Sequence, residues 1–336
     1  MKEKSYVIAV VGATGAVGKE MVKTLEKRNF PVKKLIPLAS IRSIGKSIIF
    51  KKKKIDIEEL KKDSFEGVDI ALFSAGGSIS KKFAPLAVKS GAVVVDNTSY
   101  FRMDKKVPLV VPEINAADIK KHKGIIANPN CSTIQMVLAL KPLHDKYGIK
   151  RVVVSTYQAV SGAGQKAINA LLNESMLKLS SEKITTKVMG KQIAFNLIPQ
   201  IDVFSDGGYT KEELKMVNET KKIMHDNSIQ VTVTCVRVPV LRGHSESVNV
   251  ELKKPFKMKD VIIALKQTPN LIVEDDVKKL KYPMPINAMD KFETFVGRLR
   301  VDDTIKNGLN MWVVSDNLLK GAAFNAVQIA EEIIKM

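Results

Sequence analysis

Two cysteines, one tryptophan and four histidines in 336 residues leave little material for several common chemistries. Cys131 and Cys235 form no C-x-x-C pair, which argues against a disulfide framework or a zinc knuckle and fits a reducing compartment. His122, His144, His225 and His244 share no metal-ligand spacing, so no metal site is expected. No apolar run approaches the ~18 residues that a membrane span requires. The start, Met1 to Lys4, is charged and leads straight into a strand-like run, so a soluble, cytoplasmic protein is expected. Aromatic residues make up only 6% and are not interleaved with the basic ones. The net charge of +19 therefore comes without the stacking platform or motif of a nucleic-acid binder. Lysines are spread along the chain, and the densest run, Lys51 to Lys54, reads as a solvated strand edge. Basicity favours anionic small molecules at most, and nothing in the chemistry below requires the full +19.

What is present is a globular composition, 45% hydrophobic and 26% charged, in a chain long enough for two domains. Tyr6 to Val11 is a continuous β-branched run, as expected of a strand buried on both faces. Gly12-Ala13-Thr14-Gly15-Ala16-Val17-Gly18 follows, and then Met21, Val22 and Leu25 recur at helical spacing. Strand, glycine loop and helix in this order form a dinucleotide site. The glycines let the backbone approach a pyrophosphate seated on the helix N-terminus. The G-x-x-G-x-x-G spacing is a variant of the usual fingerprint, and a tight turn without ligand is its bland alternative.

The strand Lys34 to Ala39 ends in Ser40-Ile41-Arg42-Ser43, where an NAD site would carry a carboxylate for the ribose hydroxyls. A guanidinium flanked by hydroxyls suits a 2′-phosphate instead, so NADP is expected over NAD. Further strand-like runs, Val68 to Phe73 and Ala92 to Asp96, with helix-like sequence around Lys81 to Ser90, continue a βα pattern. Ser74 to Gly77 and Asn97 to Ser99 fall at the carboxyl edge of that sheet, with Arg102 just beyond.

Ile125 to Ala127 reads as the last strand of this domain, and Cys131 opens a helix running to Tyr147. A helix N-terminus stabilises a thiolate, so Cys131 is placed to be reactive. Cys235 sits within the alternating run Val231 to Val238 and reads as a small core residue. The second domain is expected to be α+β, with strands at 151–158, 231–238 and 247–252 and helices near 166–179, 211–227 and 259–266. Antiparallel pairing is expected for those strands. A small-residue helix over 317–330 is expected to pack back onto the first domain, giving domains of 1–130 plus 316–336 and of 131–315.

Gly12 to Gly18, Ser40 to Ser43, Phe101-Arg102-Met103, Asn128-Pro129-Asn130-Cys131-Ser132-Thr133, Gln158 to Gly164, Asn196 to Gln200, Arg237-Val238 and Arg242-Gly243-His244-Ser245 together resemble the aspartate-β-semialdehyde dehydrogenases, essentially from end to end. The resemblance implies an α/β fold: an N-terminal Rossmann-type NADP-binding domain and a C-terminal α+β catalytic and dimerisation domain, glyceraldehyde-phosphate-dehydrogenase-like. It implies NADPH-dependent reduction of aspartyl 4-phosphate to aspartate semialdehyde, with phosphate released, on the route to lysine, threonine and methionine. A homodimer, or a tetramer of dimers, goes with it.

By matching motif, Cys131 is the nucleophile, His244 the acid/base residue and Gln158 the residue that orients the thioacyl group. Arg102 and Lys215 would hold phosphate, Arg237 the α-carboxylate and Glu212 the amino group. Cofactor contacts would come from Gly12, Thr14, Gly15, Ala16, Val17, Gly18, Ser40, Arg42, Ser43, Ser74, Gly76, Ser161, Gly162 and Gln328. Glu212 and Lys215, spaced i and i+3 on a helix, can face one pocket, although such pairs are commonly exposed ion pairs. An N-acetylglutamyl-phosphate reductase would share the thiol and the cofactor, a glyceraldehyde-phosphate dehydrogenase would want an acid after the second strand, and a non-catalytic NADP-binding protein would leave Cys131 unreactive.

Overall fold

A computed structural model describes residues 4–185 and 188–336, and the chain divides into two compact units, Met1–Asn130 with Ala322–Met336, and Cys131–Gly321. The first unit begins with β1 (Tyr6–Val11), α1 (Ala16–Lys27) and β2 (Val32–Ala39), followed by a hairpin of β3 (Ser47–Phe50) and β4 (Lys53–Asp56). Lys51 and Lys52 form the turn of that hairpin, and Lys53 and Lys54 are exposed on its second strand. Then come β5 (Glu58–Glu59), β6 (Ile70–Phe73), α2 (Gly77–Lys89), β7 (Val93–Asp96), the short α3 (Pro112–Asn115) and β8 (Ile125–Ala127).

The main sheet is parallel throughout, in the order β5-β2-β1-β6-β7-β8. Successive side chains of β1 explain its unbroken apolar sequence. Ile8 and Val10 enter a core with Met21, Val22 and Leu25 of α1, whereas Ala9 and Val11 enter one with Phe83, Ala84 and Ala87 of α2. Each buried Val, Leu or Ile contributes about 1.5–3 kcal/mol, so both faces need apolar side chains.

The second unit opens with α4 (Cys131–Tyr147) and β9 (Ile149–Gln158), then α5 (Gln165–Leu179), α6 (Lys211–Met224), β10 (Gln230–Arg237) and β11 (His244–Leu252). It continues through α7 (Met258–Lys266), β12 (Leu271–Val273), α8 (Pro285–Ala288), β13 (Thr294–Asp302) and β14 (Gly308–Ser315). Its sheet runs β10-β9-β11-β14-β13-β12, with α4 against one face. That helix is buried nearly all round, which is why its apolar residues do not confine themselves to one stripe.

One expectation is corrected here. β11 is antiparallel to β9, but β10 is parallel to it. The stretch between β9 and β10 carries α5 and α6, the crossover a parallel pair requires. After β14 the chain passes through the wide turn Leu319–Ala323 and rejoins the first unit as α9 (Phe324–Ile334), whose Ala326, Val327, Ile329 and Ala330 complete the core on the α1 side.

Candidate active site and nucleotide cavity

In the first unit, a cavity of roughly 520 Å³ opens at the carboxyl ends of β1, β2 and β6, lined by Gly12, Thr14, Gly15, Ser40, Arg42, Glu59 and Ser74 among others. β1 lies between β2 and β6, so this is the crevice where the strand order reverses. Gly12 has φ +87°, and a Cβ there would lie 2.7 Å from the Ser74 carbonyl oxygen. A Cβ on Gly18 would collide with the Gly12 carbonyl. The glycines thus bring loop, strand end and helix start together, and no side chain caps α1 at Gly15. Free N–H groups at a helix start fit a pyrophosphate.

Ala16, Val17 and Gly18 form the first turn of α1, Ser43 is buried with its hydroxyl 3.2 Å from that of Thr14, and Gly76 precedes α2. Arg42 is exposed and has no partner among the described residues, whereas Glu59 is 3.3 Å from Lys61. Glu59 in this cavity was missed from sequence, because a two-residue strand gives no periodic signal.

Elsewhere in the same unit, Arg102 donates from Nε to the Asn128 carbonyl and from Nη2 to the Asn97 carbonyl, each at 2.9 Å. The Asn128 amide donates to Asn97 Oδ1 and accepts from Asn325 Nδ2. This asparagine ladder anchors the start of the Asn128-to-Cys131 segment. Gln328 donates to Glu113 at 2.9 Å.

The second unit gathers the remaining residues on the helix-covered face of its sheet. Register places Arg237 of β10 beside Gln158 of β9, and His244 of β11 beside Ser315 of β14, which in turn pairs with Thr294 of β13. Two residues down the strands a second row runs Cys235, Thr156, Glu246, Val313 and Val296. Below it Val233, Val154, Val248 and Met311 are apolar. The sheet is therefore polar at one end and oily below.

Cys131 is the first residue of α4 and is partly exposed. A Cβ on Gly321 would lie 2.8 Å from the Cys131 Cβ, so only glycine lets the turn press against this helix start. The helix dipole favours a thiolate there. Arg237 is buried and within electrostatic reach of Cys131 and Glu212. Burial lowers its pKa, and those two groups act in the opposite direction. Its Nη1 donates to the Ala159 carbonyl at 2.7 Å, while its Nε has no hydrogen-bond partner among the described residues.

His244 is fully buried, and its Nδ1 accepts the Ala159 N–H at 3.0 Å. The neutral ring therefore carries its proton on Nε2, which has no hydrogen-bond partner among the described residues. Burial, and then the Arg237 guanidinium, hold its pKa well below the ordinary value, with the Gly243 backbone opposing. Ring and guanidinium meet above Gly162, where a Cβ would lie 2.9 Å from Arg237 Nη1 and 3.2 Å from His244 Nε2. The Arg242-Gly243-His244 turn is fixed by Asp316, which accepts from Arg242 Nε, and by Asn317, which accepts from Gly243 N and Ser161 Oγ.

Gln158 donates to Glu212 at 3.2 Å and accepts from Thr156. Glu212 also pairs with Lys215 at 3.1 Å, and Lys215 pairs with Asp202 at 2.8 Å. Burial opposes the Lys215 charge, but the two carboxylates prevail and raise its pKa. A capping box between Thr210 and Glu213 starts α6 and so aims Glu212 and Lys215. Ser161 and Gly162 belong to this unit, apart from the nucleotide cavity's lining. Cys235 is fully buried, its thiol against Met216 Sδ at 3.8 Å, and burial pushes its pKa far up.

A partly exposed thiol, a buried imidazole with a free Nε2 and a buried guanidinium fit covalent acyl chemistry. Known proteins carry the same arrangement of domains. The family descriptions "Semialdehyde dehydrogenase, NAD binding domain" and "Semialdehyde dehydrogenase, dimerisation domain" match residues 7–122 and 140–320. The aspartate-semialdehyde dehydrogenase of Bacillus subtilis is 55% identical over 98% of this chain and 97% of that protein. That of Aquifex aeolicus is 57% identical over 98% of each. Among solved structures, aspartate semialdehyde dehydrogenase II of Vibrio cholerae complexed with ASA superimposes with a TM-score of 0.97 at 48% identity, covering 99% of each chain. The Candida albicans enzyme with NADP superimposes with a TM-score of 0.77 at 26% identity, over 98% of this chain and 99% of that one. With both domains matched and identity sustained over almost the whole length, the chain belongs to the aspartate-semialdehyde dehydrogenase family.

Proposed function

We propose that this chain catalyses the reversible, NADPH-dependent reductive dephosphorylation of L-aspartyl 4-phosphate to L-aspartate 4-semialdehyde, in the biosynthesis of lysine, threonine and methionine. The observation that carries this reading is the meeting of Arg237 and His244 above Gly162, with Cys131 at a helix start within the field of the same guanidinium.

The Cys131 thiolate attacks the acyl carbon, the C–O bond to phosphate breaks, and a thioacyl enzyme forms. The helix N-terminus stabilises the thiolate before attack. Arg237 pairs with the α-carboxylate through its free edge, and Glu212 receives the amino group, so the reacting carbon is held against the sulfur. Arg102 and Lys215 neutralise the phosphate. Gln158, braced by Thr156 and Glu212, orients the thioacyl oxygen. His244 donates a hydrogen bond from Nε2–H to the tetrahedral oxyanion, which then collapses to the aldehyde and expels the Cys131 thiolate. A low pKa keeps the ring neutral, so its Nε2–H donates that hydrogen bond without repelling Arg237.

The nicotinamide, when bound, supplies the hydride. Residues Gly12, Thr14, Gly15, Ala16, Val17, Gly18, Ser74 and Gly76 would cradle its pyrophosphate and ribose, with Ser161, Gly162 and Gln328 toward the nicotinamide end. Ser40, Ser43 and the unpaired Arg42 would hold a 2′-phosphate, which favours NADP over NAD. The open face of the second sheet, where the Tyr157 and Trp312 rings lie 5.3 Å apart, suits pairing with a second copy of the chain. Homodimers would follow, and tetramers by pairing of dimers.

The test is NADPH formation from aspartate semialdehyde and phosphate, with NAD in place of NADP and with Cys131→Ala as control. Phosphate-dependent turnover that prefers NADP and is lost in the variant is expected. A folded wild type without turnover would overturn the reading.

A further inference from the structure

The second polar row contains a group that the mechanism does not use. Glu246 is fully buried, and neither carboxyl oxygen has a hydrogen bond or an ion pair among the described residues. Gln135 is equally buried, and both of its amide atoms lack partners. Their positions in the fold are informative. Gln135 lies four residues beyond Cys131 on α4, hence on the same helix face. Glu246 lies two residues beyond His244 on β11, hence on the same sheet face. The two side chains approach one another without reaching hydrogen-bond geometry.

The neighbours explain which form Glu246 takes. β9 presents Thr156, whose hydroxyl is committed to Gln158, and β14 presents Val313. β10 presents the Cys235 thiol, on which Glu212 and Glu213 of α6 act electrostatically. Arg237, the cation of the first row, interacts with Glu212, Cys131 and Cys235. An ionised carboxylate without donors or a counter-ion is strongly disfavoured in such a place. Burial accordingly holds the Glu246 pKa well above the usual carboxylate range, with the Gln135 side chain acting in the opposite direction.

We propose that Glu246 is a positioning residue for the reaction assigned above: a neutral carboxylic acid joined to Gln135, it ties the strand that carries His244 to the helix that carries Cys131. The acid O–H donates to the Gln135 carbonyl oxygen, and the Gln135 amide donates to the acid carbonyl, which satisfies both orphaned pairs at once. A neutral Glu246 also spares His244 a nearby negative charge, which would raise the basicity of the imidazole. The inference rests on the roles given to Cys131 and His244.

The experiment compares full-length wild type with Glu246→Gln, Glu246→Asp and Gln135→Met by difference infrared spectroscopy, steady-state kinetics over pH and the rate of Cys131 alkylation. Wild type is expected to show a protonated carboxylic C=O band that Glu246→Gln removes. Glu246→Gln, still neutral and of the same length, keeps kcat within about threefold and leaves the pH profile in place. Glu246→Asp, one methylene short, loses about tenfold or more in kcat with KM nearly unchanged, and its Cys131 alkylation rate changes. Gln135→Met removes the pair from the helix side and is expected to do the same, which serves if the aspartate variant folds poorly.

A carboxylate band in place of the acid band, or a pH limb displaced in Glu246→Gln, would overturn the neutral-acid assignment. Wild-type kcat and alkylation in both Glu246→Asp and Gln135→Met would overturn the positioning role. Band and alkylation are read without turnover, so these failures are distinct from a failure of the proposed reaction, which full activity of Cys131→Ala would reveal.

Discussion

Cys131 and Cys235 lie in the same unit, and neither is in a disulfide, yet the structure treats them as different chemical groups. Cys131 is partly exposed at a helix start and shares electrostatic contact with Arg237. Cys235 is in mid-strand, fully enclosed, next to Met216 and in the field of Glu212 and Glu213, which, after burial itself, disfavour its thiolate. The contrast shows that reactivity is conferred by the element on which a thiol sits and by the sign of the charge around it, not by the residue type.

The sharpest way to break the contrast is substitution. Cys131→Ala is expected to reduce kcat for phosphate-dependent NADPH formation by at least about 10⁴-fold, since a covalent route disappears. Removing the acid/base group costs less: His244→Gln should lower kcat by about 10²- to 10⁴-fold, measured in the same assay. Arg237→Leu should raise KM for aspartate semialdehyde about 10- to 100-fold, the loss of a charge-assisted fork. Arg42→Ala should weaken NADP by about tenfold and leave NAD unchanged, which sharpens the cofactor assignment. At the small end, Cys235→Ala should keep kcat within about twofold and cost about 1 kcal/mol of stability in urea unfolding.

A pH experiment tests the buried imidazole. The folded-state pKa of His244 lies well below its ordinary value, so the unfolded chain binds the extra proton first as pH falls. Its neutral burial is therefore accommodated without loss above about pH 6.5, and stability falls as pH drops from there toward the folded pKa. His122 and His144, whose pKa values burial also lowers, add to the same slope. His244→Gln should flatten the stability curve between about pH 6.5 and 5, measured by denaturant titration.

Much of the fold was legible because burial leaves a strong local signature. β1 is apolar at every position since helices cover both faces of its sheet, and the glycine loop after it follows from close backbone approach. Cys131 was placed at a helix start by the change from the Asn128-Pro129-Asn130 turn to an apolar run. Strand direction in the second sheet was not legible: nothing inside Gln230–Arg237 distinguishes parallel from antiparallel pairing, and although the helices expected at 166–179 and 211–227 lie between the two strands, their sequence does not say that β9 and β10 are neighbours. Neither the asparagine ladder nor the Glu246–Gln135 pair announced itself, since their members are far apart in sequence. A signal did exist for Glu246, a charged residue in phase with Val248 and Val250 on the buried face of one strand.

The most direct test of the account is alkylation of the native protein with iodoacetamide, followed by peptide mapping and residual activity. The account predicts one equivalent incorporated at Cys131, activity lost in proportion, protection by aspartate semialdehyde, and no label on Cys235 until the chain is unfolded. Label on Cys235 at a comparable rate, or full turnover by protein alkylated at Cys131, would contradict it.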